Sequence, residues 1–503
     1  MDQERLTYSF GPLERRGLLG GLAGGQVLAL VIGAVAAIVL LDRAPSAGGV
    51  FGAMIACALA AATAFAPAGG RTPQDWLPLL GRFAARRVRG RHRFQDHRPM
   101  AGAILSPARG RTISLRRPAA QAPPQLRDVR IVAPVAGDRA IGALSERGGR
   151  RLTAVVACRV AAFALLDHEA QERRLARWGL VLSGAGGTTI RRLQWIERTA
   201  PAQGDELARW LHTERDPAVP LRGSAMVESY LELISTSTRV TQEHEVLLAV
   251  QVDARRVRDR GRDGVARALV EATERVAQGL EAAEVTVLGA LGPDQLARAL
   301  RTAFDPYARG ELAAFATASD NRDHRDDRDG GDAEAWPIGA RETWDHYACD
   351  GALHATYWIS GWPRVDVSPM FMDALLGHST AVRTVAVCFE PLAADRSTRE
   401  IEAAVTRDRA DRELRARFGQ SETARQRQAA EATMRREAEL AAGHGEVRLS
   451  GFVTVTGRDG EELRRACAEV LEHAARARLE LRRLYGQQAE GFTFTLPLAR
   501  GLR

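Results

Sequence analysis

Apolar and polar positions are unevenly distributed along the chain, and the unevenness starts near residue 17. Gly17 to Leu41 is an apolar run with one strongly polar side chain, Gln26, and Val50 to Ala66 is a second, alanine-rich run. Between them lies Asp42-Arg43-Ala44-Pro45-Ser46-Ala47-Gly48-Gly49. A helix rises about 1.5 Å per residue, so roughly 20 apolar residues cross a hydrocarbon core of about 30 Å. The first run meets that length, and the second sits near the lower limit of about 17. A cleavable signal peptide has an apolar core of only about 7–15 residues, and no second run need follow it directly. A helical hairpin buried in a soluble core is the competing reading. The pattern predicts a two-helix transmembrane hairpin.

Beyond the hairpin the periodicity changes. Asp75 to Arg93 reads as an arginine-rich amphipathic helix with Trp76, Leu77, Leu79, Leu80, Phe83 and Val88 on its apolar side. Prolines and arginines then recur to Asp128, as in a linker with a short strand at Thr112–Leu115. Strand-like β-branched segments follow at Arg151–Val160, Thr188–Ile196, Val246–Val252 and Val285–Leu288. Helical patterns interleave with them at Asp167–Ser183, Val265–Ala283 and Pro293–Phe304. The same logic returns with strands at Leu353–Ile359, Ala381–Glu390 and Val447–Thr456, a helix from Gly460 to Leu484, and a terminal strand at Gly491–Leu498. Ser397-Thr398-Arg399-Glu400 is a capping box, predicted to open a long polar helix that breaks near Phe418-Gly419-Gln420 and ends at Gly443.

The expected fold class is therefore α+β: an N-terminal two-helix transmembrane hairpin, then a cytoplasmic mixed α/β region of two related halves with a protruding helical hairpin. The boundaries drawn are 1–93 for the hairpin and its basic exit helix, 94–128 for the linker and 129–318 for the first half. A mobile charged loop takes 319–335, and the second half is 336–503 with its helical hairpin at about 396–443.

Charge sets the expected orientation. The formal net charge is +8, and much of the excess lies between Arg71 and Arg130. Arg5, Arg15 and Arg16 precede the first run, while the turn between the runs carries only Arg43. Arg82, Arg86, Arg87, Arg89, Arg91 and Arg93 follow the second run and are the candidates for contact with membrane lipids. Positive charge stays on the cytoplasmic side, so both termini are expected in the cytoplasm, with two spans in the cell membrane. Gly17, Gly21, Gly25 and Gly33, with Ala29, fall at four-residue spacing and form a candidate helix-packing face.

The chemistry-bearing residues point away from catalysis. The chain contains no lysine, which removes a phosphate loop of the G-x-x-x-x-G-K-[ST] type and any Schiff-base mechanism. Gly184-Ala185-Gly186-Gly187 lacks the last glycine of a dinucleotide fingerprint, and a strand pattern follows it. Gly377-His378-Ser379 faintly resembles a nucleophile elbow but precedes a strand where a helix is required. His168-Glu169 has no second histidine four residues on. Asp327, Asp329 and Gly330 suit a calcium loop, yet Arg325 and Trp336 occupy its first and last ligand positions. The five cysteines are scattered and form no C-x-x-C pair. Trp344, Tyr347, Tyr357, Trp358 and Trp362 cluster in sequence, and packing is the stronger reading over a stacking platform for single-stranded nucleic acid. No catalytic residue, cofactor or metal is expected, and the chain is read as a non-enzyme.

The order of these parts resembles a known arrangement. The basic lead-in, two-span hairpin and arginine-rich exit resemble the PrgI-like inner-membrane subunit of type IV secretion (conjugation) machines. Three later features are similar to the N-terminal, non-catalytic domain of a Vir-type conjugation ATPase, in a fusion like those of actinobacterial conjugation-type loci. They are Tyr357-Trp358-Ile359-Ser360-Gly361-Trp362-Pro363, the charged helical hairpin after Pro391, and the ending from Leu481 to Leu498. In those ATPases the Leu-Pro-Leu ending leads into the nucleotide-binding domain, which this sequence does not contain. The resemblance implies a membrane-anchored adaptor that docks a separately encoded ATPase beside other membrane subunits, with a homo-oligomer possible and nucleic acid met only indirectly. An EccE-like accessory subunit of a type VII (ESX) secretion complex, which also begins with two spans, is the alternative. A membrane-tethered nucleic-acid-binding protein is a third.

Overall fold

The computed structural model describes residues 24–66, 73–96, 121–136, 139–160, 163–201, 225–227, 229, 232, 242–308, 335–363, 365–377, 379–417, 424–443 and 445–501. They fall into two compact units, one centred on 93–397 and 440–501, the other on 24–92 and 398–439. The expected strand at Thr112–Leu115 and the charged loop up to Glu334 lie outside the described residues.

The apolar runs become α1 (Gly24–Arg43) and α2 (Ala47–Phe65), and the exit segment becomes α3 (Pro73–Val88). The second span starts three residues before its hydropathy does. Ser46 caps α2 by accepting from the Gly49 amide at 3.4 Å, which recruits Ala47, Gly48 and Gly49 into the first turn. Gly49 is obligatory there, because a Cβ would come within 1.8 Å of the Ala44 carbonyl oxygen. The connection shrinks to Ala44, Pro45 and Ser46, and α2 reaches 19 residues, so its length is no longer marginal.

In the larger unit, β1 (Arg93–Gln95) ends the exit segment as an edge strand, so the expected linker begins inside the sheet. After β2 (Arg130–Val132), β3 (Val135–Ala136), β4 (Arg139–Ala140) and β5 (Ala143–Glu146) comes a six-element series. It comprises β6 (Arg151–Arg159), α4 (His168–Gly184), β7 (Ile190–Pro201), β8 (Gln242–Asp253), α5 (Arg262–Ala282) and β9 (Thr286–Ala290). All pairings are antiparallel in the order β9–β6–β8–β7, a β–α–β–β–α–β unit.

The chain continues through α6 (Pro293–Phe304), β10 (Gly339–Glu342) and β11 (Tyr347–Cys349), and then the plan recurs. The second series is β12 (Ala352–Gly361), α7 (Asp373–Leu376), β13 (Val382–Pro391), α8 (Ala394–Arg417), α9 (Ala424–Ala441), β14 (Val447–Gly457), α10 (Gly460–Arg476) and β15 (Glu480–Arg483). Its order, β15–β12–β14–β13, matches the first, and the two helices α8 and α9 are inserted between its second and third strands; the expected break near Phe418-Gly419-Gln420 lies outside the described residues. β7 and β13 pair antiparallel with Val385 opposite Glu197, which fuses the two repeats edge to edge in one 13-stranded sheet. A short α11 (Gln488–Phe492) closes the described elements.

Alternation along the strands gives each face its own task. On one face, Val265, Leu269, Ala272, Val276 and Leu280 of α5 pack on Ala154, Val156, Val250 and Val252 of the first repeat. Leu463, Ala466, Val470 and Ala474 of α10 do the same on Ala355, Tyr357, Val453 and Val455 of the second. The other face mixes apolar and polar side chains: Val155, Ile196, Leu247 and Ala249 pack with Leu296, Leu300, Phe304, Phe492, Leu496 and Leu498. Gln194, Gln251, Thr356 and Thr454 on that face are also buried. Buried polar groups must find partners, and these bind the chain that crosses over them.

That crossing segment corrects the expected terminal strand. Residues 493–501 form turns with no ladder partner: amides at 493, 494, 495 and 498 bond carbonyls just before them in the chain, and side chains from the sheet take up others. Gln194 donates to Phe494 O at 2.8 Å and accepts from the Ala499 amide at 2.7 Å; Gln251 donates to Leu498 O at 2.9 Å. Arg192 reaches Ala499 O at 3.3 Å while pairing with the buried Glu390. The expected helix to Leu484 also divides. α10 ends at Arg476, Arg478 takes a left-handed φ of 58°, and alternation resumes as β15 beside β12. Finally, α8 begins at Ala394 and not at the capping box, since the Ser397 amide already bonds Ala393 O at 3.0 Å.

Candidate functional site: the apolar hairpin and its arginine-bearing exit helix

Helix packing in α1 and α2 is inverted relative to a water-soluble hairpin. The buried positions are small, Gly33 and Ala37 on α1 and Gly49, Ala53, Ala60 and Ala64 on α2. The large apolar side chains point outward, with Ile32, Ile38, Phe51 and Leu59 all about 60% exposed or more (60, 66, 62 and 61%). Only 11% and 17% of the two spans is buried, where a core helix of a soluble protein would be mostly covered. Small residues inside and large aliphatics outside is the arrangement lipid favours, because helix association there depends on close backbone approach. The helices approach closely at Gly33, where a Cβ would sit 2.3 Å from the Cβ of Ala60.

Polar groups inside the hairpin are internally satisfied, as an apolar solvent requires. Gln26, the lone polar side chain of the first run, donates to Ala64 O at 3.0 Å, one of the terminal carbonyls that α2 cannot pair within itself. Thr63 returns its hydroxyl to Ala60 O at 2.9 Å.

Of the predicted packing residues, Gly17 and Gly21 lie outside the described residues, Gly25 is exposed and Gly33 is buried against α2. A strict four-residue spacing drifts around a helix of 3.6 residues per turn, so a stripe through Gly25 and Gly33 leaves any one contact line. The line followed here runs through Gln26, Gly33 and Ala37. Its partners Ala60 and Ala64 were not distinguishable among the many alanines of α2.

α3 packs against both α1 and α2. Its buried side chains are Leu79 and Phe83, one turn apart, and Asp75 sits in its first turn where the helix dipole favours a carboxylate. Arg82, Arg87, Arg89, Arg91 and Arg93 are exposed and Arg86 is half-buried. Arg93 belongs to β1 and not to the helix.

Elsewhere the sequence candidates take structural roles. The aromatic cluster is split by strand alternation: Tyr357 and Trp358 point to opposite faces and cannot share a platform. Tyr347 packs on Phe492 in the core, and Trp344 stacks on Tyr485 at 6.3 Å. Arginines do meet the rings, but from β15: Arg483 lies over Tyr357 and Tyr485, and Arg482 over Trp358, at 5.7–5.8 Å. That pairing comes from sheet register, which residues 344–362 alone do not reveal. Ser379 gives its hydroxyl to Glu469 at 2.7 Å, and Thr380 binds the same carboxylate, which ties this turn to α10. Gly184–Gly187 closes α4 with a turn, Gly186 bonding Ser183 O at 2.9 Å. Among the described residues no three His, Cys, Asp or Glu side chains converge as a metal site.

Comparison with known proteins adds one family. The family model described as "EccE: Putative type VII ESX secretion system translocon, EccE" matches residues 240–359, about a quarter of the chain. The matched stretch runs from β8 through α5, β9, α6, β10 and β11 to β12, so it bridges the two repeats. No curated protein matches the chain. Of the two secretion-system resemblances in the sequence, the match falls on type VII and lends no support to the PrgI-like or Vir-type one. With its two apolar helices, the chain is similar to a membrane subunit of a secretion complex.

Proposed function

We propose that this protein is an accessory membrane subunit of a type VII (ESX) secretion translocon. The observation that carries the reading is the EccE match over residues 240–359, which falls on core elements of both repeats and so reflects the fold's centre, not an appendage. The hairpin α1–α2 anchors the chain in the bilayer, and the double-repeat body presents surfaces to other translocon subunits. On this reading the chain performs no catalytic step; energy for transport comes from another subunit, an ATPase.

On this reading both ends of the hairpin lie in the cytoplasm and the turn at Ser46 lies outside, an orientation that the excess of arginine flanking the two runs favours. Two experiments test the proposal. Mild-detergent extraction followed by cross-linking and mass spectrometry is expected to join the body to ESX membrane subunits; a monodisperse, partner-free chain refutes it. A membrane-impermeant maleimide applied to intact cells is expected to label Ser46→Cys and spare Arg89→Cys; the reverse pattern overturns the orientation.

A further inference from the structure

α3 carries more apolar surface than its packing against the hairpin uses. Leu79 and Phe83 are buried, yet Leu77, Leu80 and Val88 are 65, 48 and 88% exposed, and Ala84 between them is exposed too. Positions 77, 80, 84 and 88 repeat at helical spacing and make one continuous stripe, separate from the buried pair. Arg82, Arg86 and Arg89 form another row at spacings of four and three, on a different side, while Arg87, seven residues after Leu80, borders the apolar stripe. Asp75 is the sole acidic residue of the helix, and it lies at the opposite end from Arg86 and Arg87.

Resting on the membrane-anchor reading above, we infer that α3 is a third membrane-contacting element, lying in the plane of the cytoplasmic leaflet. The stripe Leu77/Leu80/Ala84/Val88 enters the acyl boundary while the arginine row binds anionic lipid headgroups. Three observations commit the stripe to lipid. It is carried by a helix that packs against two spans, themselves exposing large aliphatic side chains, in the same compact unit. The flanking charge is almost wholly positive, complementary to an anionic leaflet. The helix also combines a strongly polar side with a distinct aliphatic one, the amphipathic form that settles at a headgroup boundary. The arginines have long aliphatic stems that let the charge rise to the headgroups while the backbone sits deeper.

The test uses the full chain in nanodiscs of phosphatidylcholine, with and without phosphatidylglycerol. Single spin labels are placed by Ile32→Cys, Leu80→Cys, Ala84→Cys or Arg82→Cys in a Cys57→Ala background, the other four cysteines being buried. With phosphatidylglycerol present, labels at 80 and 84 are expected to relax several-fold more with oxygen than with a water-soluble nickel chelate, and the label at 82 the reverse. In the chains labelled at 80 or 84, Arg82→Glu with Arg89→Glu is expected to reduce the excess of oxygen over nickel relaxation to its value in phosphatidylcholine alone. Water accessibility at 80 and 84 equal to that at 82 overturns the inference, and so does shielding of both from either relaxant, the signature of a protein partner. The label at Ile32 reports the anchor separately: lipid exposure at 32 without it at 80 and 84 sinks this inference alone, and water at 32 sinks the anchor.

Discussion

His354 should make the body of this protein acid-sensitive in a defined window. Its ring is completely buried on β12, between Thr456 Oγ1 at 3.0 Å from Nδ1 and Phe304 O at 2.8 Å from Nε2. A carbonyl can only accept, so Nε2 carries the hydrogen and Nδ1 accepts from the threonine hydroxyl; the neutral ring is fully satisfied. Burial pushes its pKa down from 6.5 to about 4, against a smaller opposing effect of the bond to Phe304. The sign follows: between about 6.5 and 4 the unfolded chain binds a proton that the native chain refuses, so stability falls as pH falls through this window. Above pH 6.5 the contribution is constant. Going from pH 7.5 to 4.5 should remove about 2.5 kcal/mol, at a slope approaching roughly 1.4 kcal/mol per pH unit in mid-window. His354→Gln keeps a donor and an acceptor but does not titrate. The variant will lose ring contact with Phe492, 4.6 Å away, so the informative quantity is the difference in pH slopes and not the absolute stability. Hydrogen exchange of β12 and α6 amides in the detergent-solubilised chain reads it. Parallel pH slopes for the two proteins, or stability rising on acidification, would refute the reasoning.

Further outcomes follow from the packing. Gly33→Leu should overpack the α1–α2 contact and lower hairpin stability by about 1–3 kcal/mol, read as a drop in thermal midpoint in detergent. Gln194→Leu leaves the Phe494 carbonyl and the Ala499 amide without their partner, a loss of about 1–3 kcal/mol, with faster hydrogen exchange confined first to residues 493–501. Leu296→Ala in α6 should cost about 2–5 kcal/mol by denaturant unfolding, because that side chain is wholly enclosed in the core. Glu469→Ala should release the Ser379–Thr380 turn and raise protease cleavage there, while α10 itself stays folded.

What could be read from the sequence follows from the range of the forces involved. Helix α6 was legible to the residue, because Gly292-Pro293 fixes its start and its apolar stripe is strong. β8 and β13 were legible because β-branched runs between polar stretches specify strands locally. The two apolar helices were legible because run length and hydropathy are also local, with the start of α2 misjudged only because a capping serine acts on hydrogen bonds and not on hydropathy. The terminal segment failed differently. Phe492-Thr493-Phe494-Thr495-Leu496 alternates like a strand, yet its partners are Gln194 and Gln251, roughly 250–300 residues earlier. β15 was hidden in the run of arginines and leucines after α10, and its register with β12 is set by tertiary pairing alone.

The internal repeat explains why a family match can start within one repeat and end within the other. Each β–α–β–β–α–β unit leaves the outer edge of its second strand free, and an exposed strand edge is an invitation to pair. Here β7 of one repeat and β13 of the other satisfy each other along six residue pairs, Thr384–Phe389 against Arg198–Leu193. Buried polar side chains lock that seam: Thr199 receives the Arg383 amide at 2.8 Å, and Arg192 crosses to Glu390. α6 and the segment after α11 then cover the shared face, so neither repeat has a complete second layer alone. Residues 240–359 supply β8, α6 and β12, which contribute to both repeats and to the layer that joins them. The matched stretch, residues 240–359, is thus where elements of both repeats and of the layer that covers them come together.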